Sequence, residues 1–379
     1  MSPESGGNDR TKARDLLWSG VRIVASSMIL ALPAAGQDAV SQIKAETQRL
    51  QQSLRNKPIS DPDVSALNSL IDSELKAAAE ALGGGRLYLS LERLNQASDL
   101  LQGARTVVER KADTVKGGLP VFESEWGRVS LNLSTLDREV RKTDWSQARA
   151  AIRALAETAQ GKAQPLLEGG RGFATATQPK DGLFNLGQAQ GEAEFAKFCA
   201  SLNLPRRTSP LPQRSLLPEL QSLQEKTNAA FQPPRSIELH SRFIALNSTI
   251  KQAREFDAAR FYAAALYQYL EAVRHHGMLD GPAPDAAKQS DLKAAIAALH
   301  KKLDASKRDD SIAQLFVERA ESQVEPAGGS APSADDWRSA QAIVDQVLPA
   351  YFEAQKPASP LQRAAGKTVD ITLVRWPYS

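Results

Sequence analysis

EFDAARFYAAALYQYLEAVRHH, residues 255–276, decides the fold class. Phe261, Ala265 and Tyr269 fall on one stripe, and Tyr262, Leu266, Tyr269 and Val273 on the adjoining one. Such spacing predicts an amphipathic helix with a broad buried face. His275 and His276 fall in its last turn, just before Gly277, a natural C-cap. Imidazoles there can bond terminal carbonyls and, when protonated, complement the helix dipole. Glu271 and His275 are four apart, so Glu271, His275 and His276 form an alternative metal-ligating set. A zinc site needs further converging ligands, and His240 and His300 stand without a ligand signature. The stretch reads first as packing.

The same period runs through most of the chain. Val40, Ile43, Leu50 and Leu54 mark a first helix, and Asp61-Pro62 offers a cap and first-turn proline for a second. Gly83-Gly84-Gly85 ends that helix, and a third runs from about Arg86 to Lys111. Phe122, Trp126, Val129, Leu133, Leu136 and Val140 step along a fourth, and Asp144 opens a fifth. The register then fails over 169–191, rich in Gly and small polar residues, and again over the prolines of 205–218, leaving one helix around Phe195. Helices resume near Pro218, Ser236, Asp257, Asp291 and Asp310, and Ser333 with Asp336 forms a capping box. The expected organisation is a signal peptide over 1–36, an N-terminal helical domain over 37–169 and a hinge region over 170–218. A C-terminal helical domain over 219–355 and a tail over 356–379 complete it. Within the tail, KTVDITLVRW (367–376) alternates like a strand.

Four stretches place a small residue three positions after a bulky one and an apolar or small residue four beyond: Leu87/Ser90/Leu94, Trp145/Ala148/Ile152, Phe256/Ala259/Ala263 and Trp337/Ala340/Val344. A small residue between bulky ones lets two helices approach closely. The pattern resembles the second helix of a tetratricopeptide hairpin, and FNLGQA at 184–189 resembles the Leu-Gly step of that family's first helix. That family repeats every 34 residues, whereas the bulky positions here are 58, 111 and 81 apart. The expectation is therefore an all-α, irregular, tetratricopeptide-like array of stacked antiparallel hairpins.

Composition limits the chemistry. The 379 residues are 42% hydrophobic, 24% charged and 6% aromatic, with a formal net charge of +3. Charges of both signs alternate finely, so no nucleic-acid footprint is present. Arg10, Lys12, Arg14 and Arg22 precede an apolar run from Ile23 to Leu32, then Pro33 and Ala34-Ala35-Gly36, the pattern of a secretory signal. Cleavage after Gly36 leaves 43 basic and 41 acidic residues. No stretch of the mature chain is long and apolar enough for a spanning helix. The lone Cys199 sits on an apolar helical face, as a small hydrophobe. HExxH, CxxCH, GxSxG and P-loop motifs are absent, and no cofactor is expected. Gly83-Gly84-Gly85-Arg86 reads as a hinge between helices and PRRTSPLPQR (205–214) as a linker. The functional expectation is an exported, periplasmic or extracellular, non-catalytic scaffold for a protein or peptide partner, with Trp145, Tyr262, Tyr269 and Trp337 as candidate contacts. The competing expectation is an exported small-ligand carrier or enzyme with a pocket near His275.

Overall fold

The computed structural model describes residues 38–145, 148–176, 178–204, 214–230, 238–279, 283–326 and 331–356, and among them the chain is all-α, without strands. The signal-like segment 1–36, most of the proline-rich stretch and the strand-like 367–376 lie outside the described residues. The helices are α1 Ala39–Asn56, α2 Leu67–Gly83, α3 Leu87–Gly117, α4 Leu119–Arg141, α5 Ala150–Thr175, α6 Pro179–Ser201 and α7 Leu217–Ala230. They continue with α8 Glu238–Ala258, α9 Tyr262–Gly277, α10 Ala286–Asp304, α11 Ser311–Val324, α12 Ala334–Ala342 and α13 Leu348–Ala354. Sequential helices pack in antiparallel pairs, notably α2 on α3, α5 on α6 and α8 on α9, while α6 also lies along α3.

Several starts differ from the sequence expectation, each for a local reason. Asp61-Pro62 opens a turn instead of a helix: the Asp61 carbonyl accepts from Val64 and Ser65, its carboxylate takes Lys111, and α2 begins at Leu67. The fifth helix begins at Ala150, not at Asp144. Asp257 lies near the end of α8, and α9 begins five residues later. Asp285 caps α10, its carboxylate accepting from Lys288 N at 3.0 Å, so that helix starts before Asp291. The Ser333/Asp336 capping box forms as expected. Beyond it, α12 widens into a π segment, Ile343–Val347, before α13. Pro349 has no N–H for the preceding turn and its ring crowds that turn's carbonyl, a local reason for the widening.

The expected break over 169–191 is instead a helical hairpin, α5 and α6 joined by a short turn. Its glycines serve close approach between helices. A Cβ on Gly182 would stand 2.7 Å from the Gly170 carbonyl oxygen, and one on Gly170 would stand 2.9 Å from the Gly182 carbonyl oxygen. Gly187 packs against α3, where a Cβ would overlap the Gln102 carbonyl and come within 2.7 Å of the Gly103 Cα. Glycine weakens an isolated helix, but here it lets α6 lie in contact with both α3 and α5.

Two of the four bulky/small signals fall within helices: Leu87/Ser90/Leu94 opens α3, and Trp337/Ala340/Val344 runs from α12 into the π segment. The other two straddle turns. Trp145 precedes α5, and Phe256 closes α8 while Ala263 belongs to α9. Gly187→Ala tests the close-approach reading. It should lower unfolding stability by about 1–3 kcal/mol in urea titration, whereas Gly127→Ala, where an added Cβ meets nothing within 4 Å, should not destabilise the fold.

Candidate functional site

A helix leaves its first amides without intrahelical partners. α1, α10 and α12 satisfy theirs locally, through Asp38, Asp285 and Ser333. α3, α5 and α9 have no side-chain cap of their own. Each borrows one from residues on, or just ahead of, a distant helix. Leu89 N donates to Glu318 Oε2 of α11 at 2.8 Å, and Tyr88 donates to the same carboxylate. Ala263 N and Ala264 N donate to Glu157 Oε2 of α5 at 3.0 and 3.1 Å. Ala150 N donates to Asp309 Oδ2 at 2.7 Å, and Ala151 N to Ser311 Oγ at 2.9 Å. Before α7, Leu216 N and Ser215 Oγ donate to Asp257 at 2.7 and 2.8 Å.

Beside these caps lies a buried ionic group. The Arg319 guanidinium of α11 bonds Glu92 of α3 and Glu271 of α9, and donates to the Tyr267 hydroxyl at 3.0 Å. Tyr267 in turn donates to Glu92, and Arg274 holds the other Glu271 oxygen at 2.9 Å. Burial alone would raise the Glu271 pKa, but Arg319 and Arg274 outweigh it and hold the carboxyl down at about 2. Glu318, fully buried, moves the other way: burial pushes its carboxyl up to about 8 against the pull of its two amide donors and of the Arg86 charge.

A second acidic group lines the α3–α6 contact. Asp99 accepts from Gln188 at 3.0 Å, and Glu192 accepts from Asn95 at 3.0 Å with Lys162 at 3.8 Å. Burial, then the neighbouring Glu192 charge, raises Asp99 to about 7; burial raises Glu192 and Glu194 as well. The lone cysteine does not join these groups as a nucleophile: Cys199, in α6, is buried and its thiol is pushed up by that burial.

A cavity of 230 Å³ opens between α4, α5 and α6. Leu133, Leu136 and Val140 of α4 face Ala163, Ala193 and Ala196, giving it an apolar floor. Ser130, Ser134, Asp137, Gln160 and Gln164 complete the lining with polar groups. Asp137 accepts from Gln160 and, at 2.7 Å, from Arg141 Nε. Ordinary small-molecule sites span roughly 300–1,000 Å³, so this one matches a single apolar anchor better than a cofactor. Leu131, on the same helix, is 70% exposed. The sequence places Leu133, Leu136 and Val140 along one helical stripe; the signal for the space beside them is the run of alanines on the facing helices.

The candidate contacts chosen from sequence lie on α9, on α12 and ahead of α5. Tyr262 and Tyr269 are half-buried on α9, Trp145 is half-buried ahead of α5, and Trp337 is buried at 7% exposure on α12. Trp145 and Tyr269 pack on the core. Of the alternative metal set, Glu271 is occupied by two guanidiniums, and His275 lies 3.4 Å from Arg274. Burial, then Arg274, lowers the His275 pKa. His276 stands next to it, half-buried in the same last turn. Among the described residues no three metal-ligating side chains converge.

Two outcomes follow. Arg319→Leu leaves Glu92 without its cation and the buried Glu271 with Arg274 alone, and should cost about 3–5 kcal/mol in chemical denaturation. Between the ordinary carboxyl value of 4.5 and about 8, folded Glu318 retains a proton that the unfolded chain releases. Its contribution is therefore full below that window and falls as pH rises through it, so Glu318→Gln should flatten the decline in unfolding free energy between pH 5 and pH 8. A comparison with protein-family models, with curated proteins and with solved structures finds no match to this chain.

Proposed function

We propose that the chain is an exported, non-catalytic helical scaffold that binds a protein or peptide partner in the cell envelope, and that the α4–α5–α6 cavity is where an apolar side chain of that partner seats. The observation that carries this reading is the cavity itself: an apolar floor of one-anchor size, polar groups around it, and an exposed leucine on the same helix. Peptide recognition in helical arrays uses such single anchors in grooves between helices. The buried carboxylates add support from the other side, because they are committed to helix amides and guanidiniums and so serve architecture. The irregular stack of hairpins belongs to the same tetratricopeptide-like way of presenting a groove, without that family's period. Export rests on the basic, apolar and small-residue succession of the first 36 residues.

Native mass spectrometry of the protein purified gently from its own host's envelope tests the whole reading. The expected result is a mass corresponding to residues 37–379 together with a stoichiometric protein partner. Ala163→Trp, which fills the cavity floor, should release that partner by 10-fold or more in affinity while leaving the helical signal in circular dichroism intact. A bound small molecule with no protein partner would overturn the proposal in favour of a carrier with an interhelical site.

A further inference from the structure

The turn between α2 and α3 and the turn between α8 and α9 are the same turn, 175 residues apart. Gly84 N bonds Glu80 O at 2.9 Å, and Ala259 N bonds Glu255 O at 3.0 Å. Gly85 N bonds Leu82 O at 3.1 Å, and Arg260 N bonds Asp257 O at 3.0 Å. Arg86 N reaches back to Ala81 O at 2.8 Å, and Phe261 N to Phe256 O at 2.9 Å. The left-handed residue falls at the same place, Gly85 with φ +77° and Arg260 with φ +63°. Such turns are common at helix ends, so identity here carries little alone.

The contacts beyond the turns carry more. Shifted by the same 175 residues, Tyr88 and Leu89 become Ala263 and Ala264. The first pair is capped by Glu318 and the second by Glu157. Those glutamates are themselves equivalent, each the eighth residue of its helix, α11 and α5. The exchange is reciprocal: α5 caps α9, and α11 caps α3. Glu92 and Tyr267 are also equivalent under the 175-residue shift, and they bond each other. Equivalent residues touching each other mark the axis of an isologous contact. Consistent with this, α5 meets α11 where their first turns cross, Ala151 N on Ser311 Oγ.

The helices behind the seam repeat as well. Asp137 of α4 accepts from Gln160 of α5 and pairs with Arg141. At the corresponding places, His300 of α10 bonds Glu321 of α11 at 2.6 Å and lies 3.3 Å from Asp304. Asn203, after α6, donates to Gln42 of α1, and Arg214, before α7, donates to the Ala354 carbonyl of α13. Each set thus closes its last helix onto its first.

We infer that the chain is an internal pseudo-dimer: two units of six helices, α1–α6 and α7–α13 (α12, the π segment and α13 running on as one helix), docked about an approximate two-fold axis between Glu92 and Tyr267 and latched by the reciprocal seating of Glu157 and Glu318. Each unit carries both halves of the latch, a glutamate and a helix start that needs one. The surface joining them, α3 with α5 against α9 with α11, is an interface between two folding units, independent of any ligand at the α4–α5–α6 cavity.

Cleaving the full chain tests this. A specific protease site is inserted between Leu204 and Arg214, and the folded protein is cut after purification. The expected result is two fragments that keep the helical signal and migrate together as a 1:1 complex at micromolar concentration. Cut Glu157→Ala and Glu318→Ala chains should keep their helix but bind their complementary fragment roughly 100-fold more weakly. In the uncut chain, Glu318→Gln should speed hydrogen exchange at amides 88 and 89, and Glu157→Gln at 263 and 264. Fragments that unfold or precipitate on cutting would overturn the inference, since the halves would not be folding units. So would cut variants that associate as tightly as the parent, since the glutamates would not be the latch.

Discussion

A buried helix start must find acceptors for its amides, and in this chain the acceptors are on other helices. The residues at the N-cap positions of α3, α5 and α9 are Arg86, Arg149 and Phe261, none of which offers a capping oxygen. Each start is therefore unsatisfied until a remote carboxylate or hydroxyl arrives. Where the acceptor is ionised, it also meets the positive end of the helix dipole. This makes secondary structure conditional on tertiary structure at three places: Glu318, Asp309 with Ser311, and Glu157 must be in position before the first turns of α3, α5 and α9 are complete. The consequence is cooperativity. A helix that supplied its own cap could form early and dock later; these starts are completed by docking.

Close approach is the second condition, and small residues supply it. α6 touches α3 and α5 at once because Gly170, Gly182 and Gly187 remove the side chains that would hold the backbones apart. Polar groups then fill the α3–α6 contact where apolar ones would be expected, Asn95, Asp99, Gln188 and Glu192 among them. The Asp99 and Glu192 carboxyls titrate upward because burial in this contact keeps water from them. Intimate packing and weakened acidity are one effect seen twice.

Helices were legible in the sequence because their evidence is local. The stripes through Ile43 and Leu50, Val129 and Leu133, and Leu266 and Val273 fix helices whose bounds the structure shifts only at the caps. The α5–α6 hairpin was not legible, since glycine reads as a breaker until a partner backbone is in place. Nor were the trans caps, because partners such as Leu89 and Glu318 lie 229 positions apart. A faint signal existed: ALAETA around Glu157 and LFVERA around Glu318 each set an acid inside an apolar run. An acid there is either on the solvent face or committed to a buried donor, and spacing alone cannot choose. The aromatic residues chosen as contacts, Trp145, Tyr262, Tyr269 and Trp337, were selected for chemistry without knowledge of burial. The cavity depended on what the alanines of α5 and α6 leave empty, which no single helix records.

The polar filling of the seam is less symmetric than its frame, and the asymmetry has a use. Glu157 and Glu318 are interchangeable in role, but Glu92 faces Tyr267 across the axis, and Arg319 stands where the other unit has Thr158. Pairing a first unit with a copy of itself would bring Glu92 against Glu92 with no arginine between them. Pairing a second unit with its copy would set Tyr267 against Tyr267, with neither Glu92 present to accept from the hydroxyls or to share the guanidiniums. Like charges or unpaired polar groups in a buried contact are costly, whereas the cross-pairing satisfies Arg319, Glu92, Tyr267 and Glu271 together. The capping glutamates supply a contact either unit could make with itself; the charge group at the axis restricts it to the other.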